Sequence, residues 1–144
     1  MKVETGYGET WLGNIPDRVR RAEEAGFDAI TTGELKHNSI LALTLAAEHS
    51  EQIELCTGVT IAFPRTPMIM AQTAWDLQEF SKGRINIGLG SQVKGHIERR
   101  FGGTWTTYRI CVTSASNVSA QMAATRRSGA AKVAATDSFY GQGV

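Results

Sequence analysis

IELCTGVTIAFPRTPMIMAQTAWDLQEFSKGRINIGLG, residues 53 to 90, is the stretch that decides the fold, because a strand, a loop, a helix and a second strand follow one another in it. Residues 53–61 are a β-rich apolar run that two prolines end. A helical period of apolar residues follows over 68–77, and residues 84–90 form a second apolar strand that ends in glycines. Parallel strands joined by a helix place their carboxyl ends on one edge of a sheet, where α/β folds build their sites.

The same alternation extends in both directions from this stretch. Residues 2–7 are a weak candidate for a first strand, and Pro16 begins a helix that Gly26 ends. Residues 27–33 then predict a second strand, followed by a loop over 34–38 and a helix through 41–49. Another helix begins after residue 90. The sequence therefore predicts an α/β fold with about four parallel strands, in βα units of roughly 25 to 35 residues.

Length and composition limit the classes of function. The chain has 144 residues, whereas a closed eight-stranded barrel typically needs about 250. Its 15 basic and 14 acidic side chains give a net charge of +1, which favours a small-molecule substrate over nucleic acid or a membrane surface. Cys56 and Cys111 lack metal-binding spacing, so we predict reduced thiols and no metal. With no leader and no apolar run near the roughly 18 residues that span a bilayer, a cytoplasmic protein is expected.

The composition changes at residue 103, and residues 103–144 are called the tail below. The tail contains no leucine and one acidic residue, Asp137, and is rich in Ala, Ser and Thr. Such a segment buries too little apolar surface to offset its ordering entropy, so we predict a divergent, poorly ordered tail without an identifiable fifth strand. Two origins stay open, a disordered basic tail of this protein or a segment that has replaced the rest of the domain. The second fits better, because the βα alternation stops before a domain is complete.

The loop after the second strand carries Glu34 and His37, three residues apart. Histidine acts near neutral pH as an acid, a base or a hydrogen-bond donor to a bound ring, and a carboxylate orients it. The pair is the candidate for catalysis. Its alternative is a solvated loop, in which such residues are common.

Two further strand ends carry candidate cofactor contacts. Residues 60–67 place small and flat residues before two prolines that flank Arg65, a setting in which a planar cofactor can lie against the backbone. The alternative is a rigid loop with Arg65 in water. Residues 88–92 form a glycine-rich end whose backbone N–H groups can bind an anion or the polar edge of a ring. They lack the full dinucleotide fingerprint, and a tight turn is the alternative reason for the glycines.

These strand ends also carry a family resemblance. TTGELKH (31–37), TGVTIAFPRTP (57–67) and GLGSQVKGHIERRF (88–101) resemble the luciferase-like monooxygenase superfamily, especially its members that use a deazaflavin coenzyme. The resemblance covers about residues 2–102 and is strongest over 62–102. It implies a (β/α)8 barrel that binds FMN or an F420-type deazaflavin at its carboxyl face and passes hydride to or from a substrate. Residues 1–102 are accordingly predicted to be the N-terminal half of such a TIM-type barrel.

The resemblance also implies roles for individual residues. It places Glu34 and His37 beside the cofactor ring, with His37 as the candidate for proton transfer or contact with a substrate oxygen. It assigns cofactor contacts to eight residues at the ends of strands one, three and four: Thr5, Gly6, Ile61, Ala62, Phe63, Gly90, Ser91 and Gln92. The first two form the pocket floor. The next three form a backbone bulge behind the ring, where the family often has a non-prolyl cis peptide, and the last three contact the ring edge or ribityl chain.

Three functions follow from these observations. The first is a flavin- or deazaflavin-dependent oxidoreductase or monooxygenase, expected to be inactive as it stands because four βα units of the family are lacking. The second is a non-enzymatic half barrel that forms a homodimer through the unpaired edges of strands one and four. The third is a complete flavodoxin-like domain, although no phosphate-binding loop follows the first strand.

Overall fold

The computed structural model describes residues 1–8, residues 11–104 and the backbone of residues 132–135. A short 3-10 turn precedes the first helix. Over these residues, five strands alternate with four helices in the order β1 (Glu4–Gly6), α1 (Ile15–Glu24), β2 (Ala29–Thr32), α2 (Ser39–Glu48), β3 (Glu54–Ile61), α3 (Pro67–Phe80), β4 (Ile85–Gly90), α4 (Lys94–Arg100) and β5 (Lys132–Ala135).

The strands form one sheet whose spatial order follows the chain, β1-β2-β3-β4-β5, and every neighbouring pair is parallel. Each crossover therefore leads to the next strand along, which is how a (β/α)8 barrel is built. A doubly wound sheet instead reverses its strand order near the middle. The structure confirms part of a TIM-type barrel, and the flavodoxin-like interpretation is wrong for the described strands.

The fifth strand was not expected from the sequence. Lys132–Ala135 pairs with β4 from Asn86↔Lys132 to Leu89↔Ala135, so the prediction of an unpaired edge on strand four is wrong. The edge of β4 is a row of backbone N–H and C=O groups, and an extended segment can satisfy them whatever its side chains are. The other tail predictions, including the state of Cys111, lie outside the described residues.

The core lies between the sheet and the helices. Ile30, Leu55 and Ile85 stand side by side in register, and each is at most 2 % exposed. The helices pack apolar residues such as Val19 and Leu43 against them. Because side chains alternate along a strand, the other face of the sheet carries the intervening residues. On that face, three half-buried residues stand side by side in register: Thr31, Cys56 and Asn86. This inner face is therefore polar and more open than the helix face.

The helices that follow β2 and β3 begin at defined caps. The Asn38 side chain accepts a hydrogen bond from the backbone N–H of Ile40 at 2.9 Å, and Thr66 accepts one from Ile69 at 3.4 Å. Pro67 occupies the first turn of α3, where its missing N–H costs nothing. These caps fix where the loops after β2 and β3 end.

Glu23 joins α1 to the segment before β3. Its carboxylate accepts hydrogen bonds from three consecutive backbone N–H groups, those of Glu51 at 3.1 Å, Gln52 at 2.6 Å and Ile53 at 2.8 Å. Partial burial works to raise the pKa of Glu23, but the three N–H donors and the Arg84 charge outweigh it and hold that pKa below its usual value. The ionised form is therefore stabilised by the fold.

This arrangement predicts a pH-dependent contribution to stability. Since the folded state lowers the pKa of Glu23, the contribution is complete above the unfolded value of about 4.3 and disappears as the pH falls through the lower folded value. We expect Glu23→Gln to unfold more easily than wild type at pH 7, and the difference to shrink as the pH falls below about 4. Urea unfolding at several pH values measures this.

Glu24→Gln is the control for that experiment, because it removes the same charge from the exposed neighbouring residue of α1. It should leave the urea midpoint within error at every pH. A constant difference between Glu23→Gln and wild type from pH 7 to pH 3 would contradict the linkage.

Two observations bear on the predictions about cysteines and location. Cys56 is a free, half-buried cysteine in β3, and burial raises the pKa of its thiol. Among the helices in the described part of the chain, none is long and apolar enough to cross a membrane. The cytoplasmic location stays a prediction.

Candidate functional site

The carboxyl ends of β2, β3 and β4 meet along one edge of the sheet. The backbone N–H of Glu34 donates to Val59 O at 3.2 Å, and that of Ala62 donates to Gly90 O at 2.9 Å. These bonds bring together Glu34, Ile61, Ala62 and Gly90, which the sequence analysis assigned to three different strand ends. Phe63 and Ser91 come directly after this edge in the chain.

Glu34 and Arg65 form a buried ion pair at this edge. Arg65 Nη2 lies 2.5 Å from Glu34 Oε1 and Nη1 lies 2.8 Å from Oε2, so the guanidinium binds the carboxylate through two parallel hydrogen bonds. The Glu34 and Arg65 side chains are 7 % and 18 % exposed, so the interpretation of Arg65 as a solvated loop residue is wrong. Glu34 Oε2 also accepts the N–H of Ile61 at 2.6 Å. An orienting role for Glu34 toward His37 stays a prediction.

A β-bulge occurs in β3, but at a different place from the one the resemblance implied. The register with β4 shifts between Thr57 and Thr60, whereas Ile61 is again in register with Gly90. Every peptide bond among the described residues is trans, so the implied cis peptide near residues 61–63 is not found. The backbone at Ile61 and Ala62 is held regular by its hydrogen bonds to Glu34 and Gly90, which leaves the one extra residue to be accommodated earlier, around Gly58.

The glycines of β4 are explained by this bulge. A Cβ on Gly88 would lie 2.5 Å from the backbone oxygen of Thr57, and one on Gly90 would lie 2.4 Å from Val59 Cγ2. The Thr57 hydroxyl accepts the N–H of Gly88 at 2.9 Å and donates to its carbonyl at 3.0 Å. Close approach of β3, rather than a tight turn, is therefore what requires glycine here.

The residue with unusual backbone geometry at the end of β4 is Gln92. Its φ is 58°, a left-handed conformation that side chains other than glycine rarely adopt. Its own Oε1 accepts the N–H of Val93 at 3.1 Å. Ser91 and Gln92 are both half-buried. Such strained positions are frequent at functional sites, although the cofactor contacts predicted for these residues stay predictions.

His37 lines a cavity of about 330 Å³ at the carboxyl ends of β1 and β2. The cavity is lined by Tyr7 and Gly8, which follow β1, and by Thr32, Gly33 and residues 35–38 after β2. The rings of His37 and Trp11 are 5.3 Å apart and inclined at 52°. Tyr7 is fully buried, and burial raises the pKa of its phenol far above its usual value. The phenol is therefore kept neutral, and the imidazole of His37 is the titratable ring that lines the cavity.

Thr5 and Gly6 do not line the His37 cavity. They lie beside a second cavity of about 290 Å³, with Arg18, Arg21 and Phe27, on the α1 side of the sheet. Tyr7 and Gly8, which follow them, line the His37 cavity, and the cofactor contacts expected of Thr5 and Gly6 stay predictions.

The site can be compared with what a flavin or deazaflavin needs. Pockets for small molecules usually have volumes of about 300 to 1,000 Å³, so the His37 cavity has room for a ring system and little more. The ribityl chain and phosphate would have to lie outside it. In the described residues, no group of three or more His, Cys, Asp or Glu side chains could hold a metal ion. The volume of the His37 cavity and its aromatic lining fit an organic ring.

Comparison with known protein families gives a match over most of the chain. The family model described as luciferase-like monooxygenase matches residues 2–112. An uncharacterized protein of Mycobacterium tuberculosis is 47 % identical over 100 residues, which cover 65 % of this chain and 29 % of that protein. The chain thus spans less than a third of the length of that curated relative.

This chain also superposes on parts of solved protein structures. The coenzyme F420-dependent tetrahydromethanopterin reductase of Methanopyrus kandleri superposes with a TM-score of 0.61 at 26 % identity, over 68 % of this chain and 29 % of the reductase. The oxygenating constituent of 3,6-diketocamphane monooxygenase from Pseudomonas putida, in complex with FMN, has a TM-score of 0.69 at 15 % identity, over 84 % of this chain and 40 % of that one. The second likeness shows the fold alone.

Proposed function

Because the chain belongs to the luciferase-like monooxygenase family, we propose that it forms the cofactor-binding part of an oxidoreductase that uses an F420-type deazaflavin, with FMN as the alternative. The M. kandleri reductase depends on F420 and has the higher sequence identity of the two solved structures, which supports the deazaflavin first. Such a cofactor, when bound, passes hydride to or from a small-molecule substrate. The protein's part is to bind, orient and shield the ring.

One observation carries this proposal: Gly33 and Leu35, which line the His37 cavity, flank Glu34, whose hydrogen bonds to Val59 and Ile61 join two strand ends. A ring seated in the cavity would therefore lie near this edge. His37 would then hold or transfer a proton at the substrate oxygen. Ser91 and Gln92 would contact the cofactor beyond the cavity, where the backbone of β4 ends.

The test is a titration of the purified chain with F420 and with FMN, followed by absorbance and fluorescence, together with its mass in solution. We expect saturable binding of one of the two with a stoichiometry of one per chain. A folded chain that binds neither would contradict the proposal for this chain.

The same titration tests the contribution of His37 to cofactor affinity. Removing its ring in His37→Ala takes away part of the cavity wall and its contact with Trp11, so we expect the cofactor to bind about five- to tenfold more weakly, as for the loss of one aromatic contact. The matched control is His96→Ala, since His96 is an exposed histidine of α4. Equal affinities of the two variants would show that the ring does not bind beside His37.

A second candidate function is favoured by the inner face of the sheet. Thr31, Cys56 and Asn86 on that face are polar and half-buried, and among the described strands β1 has a partner on one side only. A homodimer that pairs the free edge of β1 with a second copy and covers the inner face would be a non-enzymatic assembly module. It predicts a mass that rises with concentration and no affinity for either cofactor, and a monomer at high concentration would contradict it.

A further inference from the structure

Glu34 takes over the hydrogen bonds of a strand that has already ended. The regular ladder between β2 and β3 stops at Thr32↔Thr57, before the part of β3 that follows the bulge. Glu34 donates its N–H to Val59 O at 3.2 Å and accepts the Ile61 N–H at 2.6 Å on its carboxylate. In a parallel sheet one residue bonds to the two neighbours of its partner in this way through its own N–H and C=O. The Glu34 carboxylate stands in for that C=O.

Arg65 completes the arrangement from the other end of the loop. Its Nη1 donates to Ile61 O at 2.7 Å while the same guanidinium binds both carboxylate oxygens of Glu34. Its own backbone N–H donates to Ala62 O at 3.0 Å. Both the N–H and the C=O of Ile61 are therefore held by one ion pair. Since Ile61 is 1 % exposed and Glu34 is 8 % exposed, water competes little for these bonds.

We propose that Glu34 and Arg65 are a positioning pair, which sets the backbone of Ile61 and Ala62 so that the cofactor ring can lie against it. Neither residue needs to touch the cofactor. The inference deepens the proposed function and rests on it for the step from backbone position to cofactor affinity. Because the two charges of the pair cancel, it adds no net charge to this edge of the sheet.

The experiment uses hydrogen exchange and cofactor titration on the same variants. In Glu34→Ala we expect the Ile61 amide to exchange about tenfold faster or more, while the Leu55 and Ile85 amides in the core keep their rates. Glu34→Gln keeps one oxygen acceptor for the Ile61 N–H, so it should retain most of the protection. Arg65→Lys cannot bind the carboxylate and the carbonyl in the same fixed geometry and should be intermediate.

Cofactor affinity should follow the same order. We expect Glu34→Ala to bind F420 or FMN about tenfold more weakly than wild type, and the partial variants to lie between. The control is Glu98→Gln, which removes a carboxylate from an exposed pair with Lys94 at 3.9 Å. If the pair were merely structural, its substitution would accelerate amide exchange throughout the core, in proportion to the loss of global stability. That result would overturn the inference. If Glu34→Ala does not fold, the positioning inference is decided by Glu34→Gln and Arg65→Lys alone.

The two proposals can fail separately. If wild type binds neither cofactor, the proposed function fails, and the Ile61 exchange rate alone decides whether the pair positions the backbone. If wild type binds a cofactor and those of Glu34→Ala and Arg65→Lys that fold bind it equally well, the positioning inference is overturned whatever the exchange rates are. Unchanged Ile61 exchange in every variant also overturns it.

Discussion

Gly88→Ala is expected to destabilise the fold by about 3 kcal/mol or more, at the upper end of what overpacking costs. The new methyl group would lie 2.5 Å from the Thr57 backbone oxygen and 3.9 Å from its hydroxyl. The nearer atom is main chain in the neighbouring strand, so no side-chain rotation relieves the contact. Either β3 moves away from β4 or the bulge changes its position, and both disrupt the two hydrogen bonds between Thr57 and Gly88.

Urea unfolding of Gly88→Ala and wild type measures this effect. The matched control is Gly95→Ala in α4, where a Cβ meets nothing within 4 Å. Because alanine favours a helix over glycine by up to about 1 kcal/mol, that variant should be neutral or slightly more stable. If Gly88→Ala unfolds at the wild-type urea concentration, the close approach of β3 and β4 at the bulge is contradicted.

The regular part of the fold could be predicted from the sequence because its signals are local. The apolar run at 53–61, the helix of α3 and the strand at 84–90 each follow from the periodicity of a few neighbouring residues. Their order along the chain then predicts a parallel sheet. β5 could not be predicted, because no sustained apolar period in the tail indicates a strand; the structure shows it only through its pairing with β4.

The candidate site was predictable only in its outline. Strand ends gave Glu34, Ile61 and Gly90, which the structure brings to one edge. The partner of Glu34 was not foreseen, since Arg65 is 31 residues away and nothing local marks the contact. The displaced bulge depends likewise on how β3 packs against β4, which a single strand's sequence does not contain.

The second large effect on stability is expected for Arg84, which lies at the opposite end of the sheet from the candidate site. All five N–H groups of its guanidinium are used: Nε donates to Ser81 O at 2.9 Å, Nη1 to Ser50 Oγ and Ile53 O, and Nη2 to Ala47 O and Ser50 O. The side chain thereby binds the carbonyls at the end of α2, the start of β3 and the end of α3. A cation is also favourable at the carboxyl end of a helix.

We therefore expect Arg84→Ala to lower the free energy of unfolding by about 3 kcal/mol, because several partly buried carbonyls lose a charged donor at once. Arg84→Lys keeps the charge but has three donors on one nitrogen, so it should recover only part of that loss. Arg99→Ala, an exposed arginine of α4, is the control and should change stability by less than about 0.5 kcal/mol. Since these bonds lie at the amino ends of the strands, folded Arg84→Lys should bind cofactor like wild type; a parallel loss of affinity would show that the two ends of the sheet are coupled.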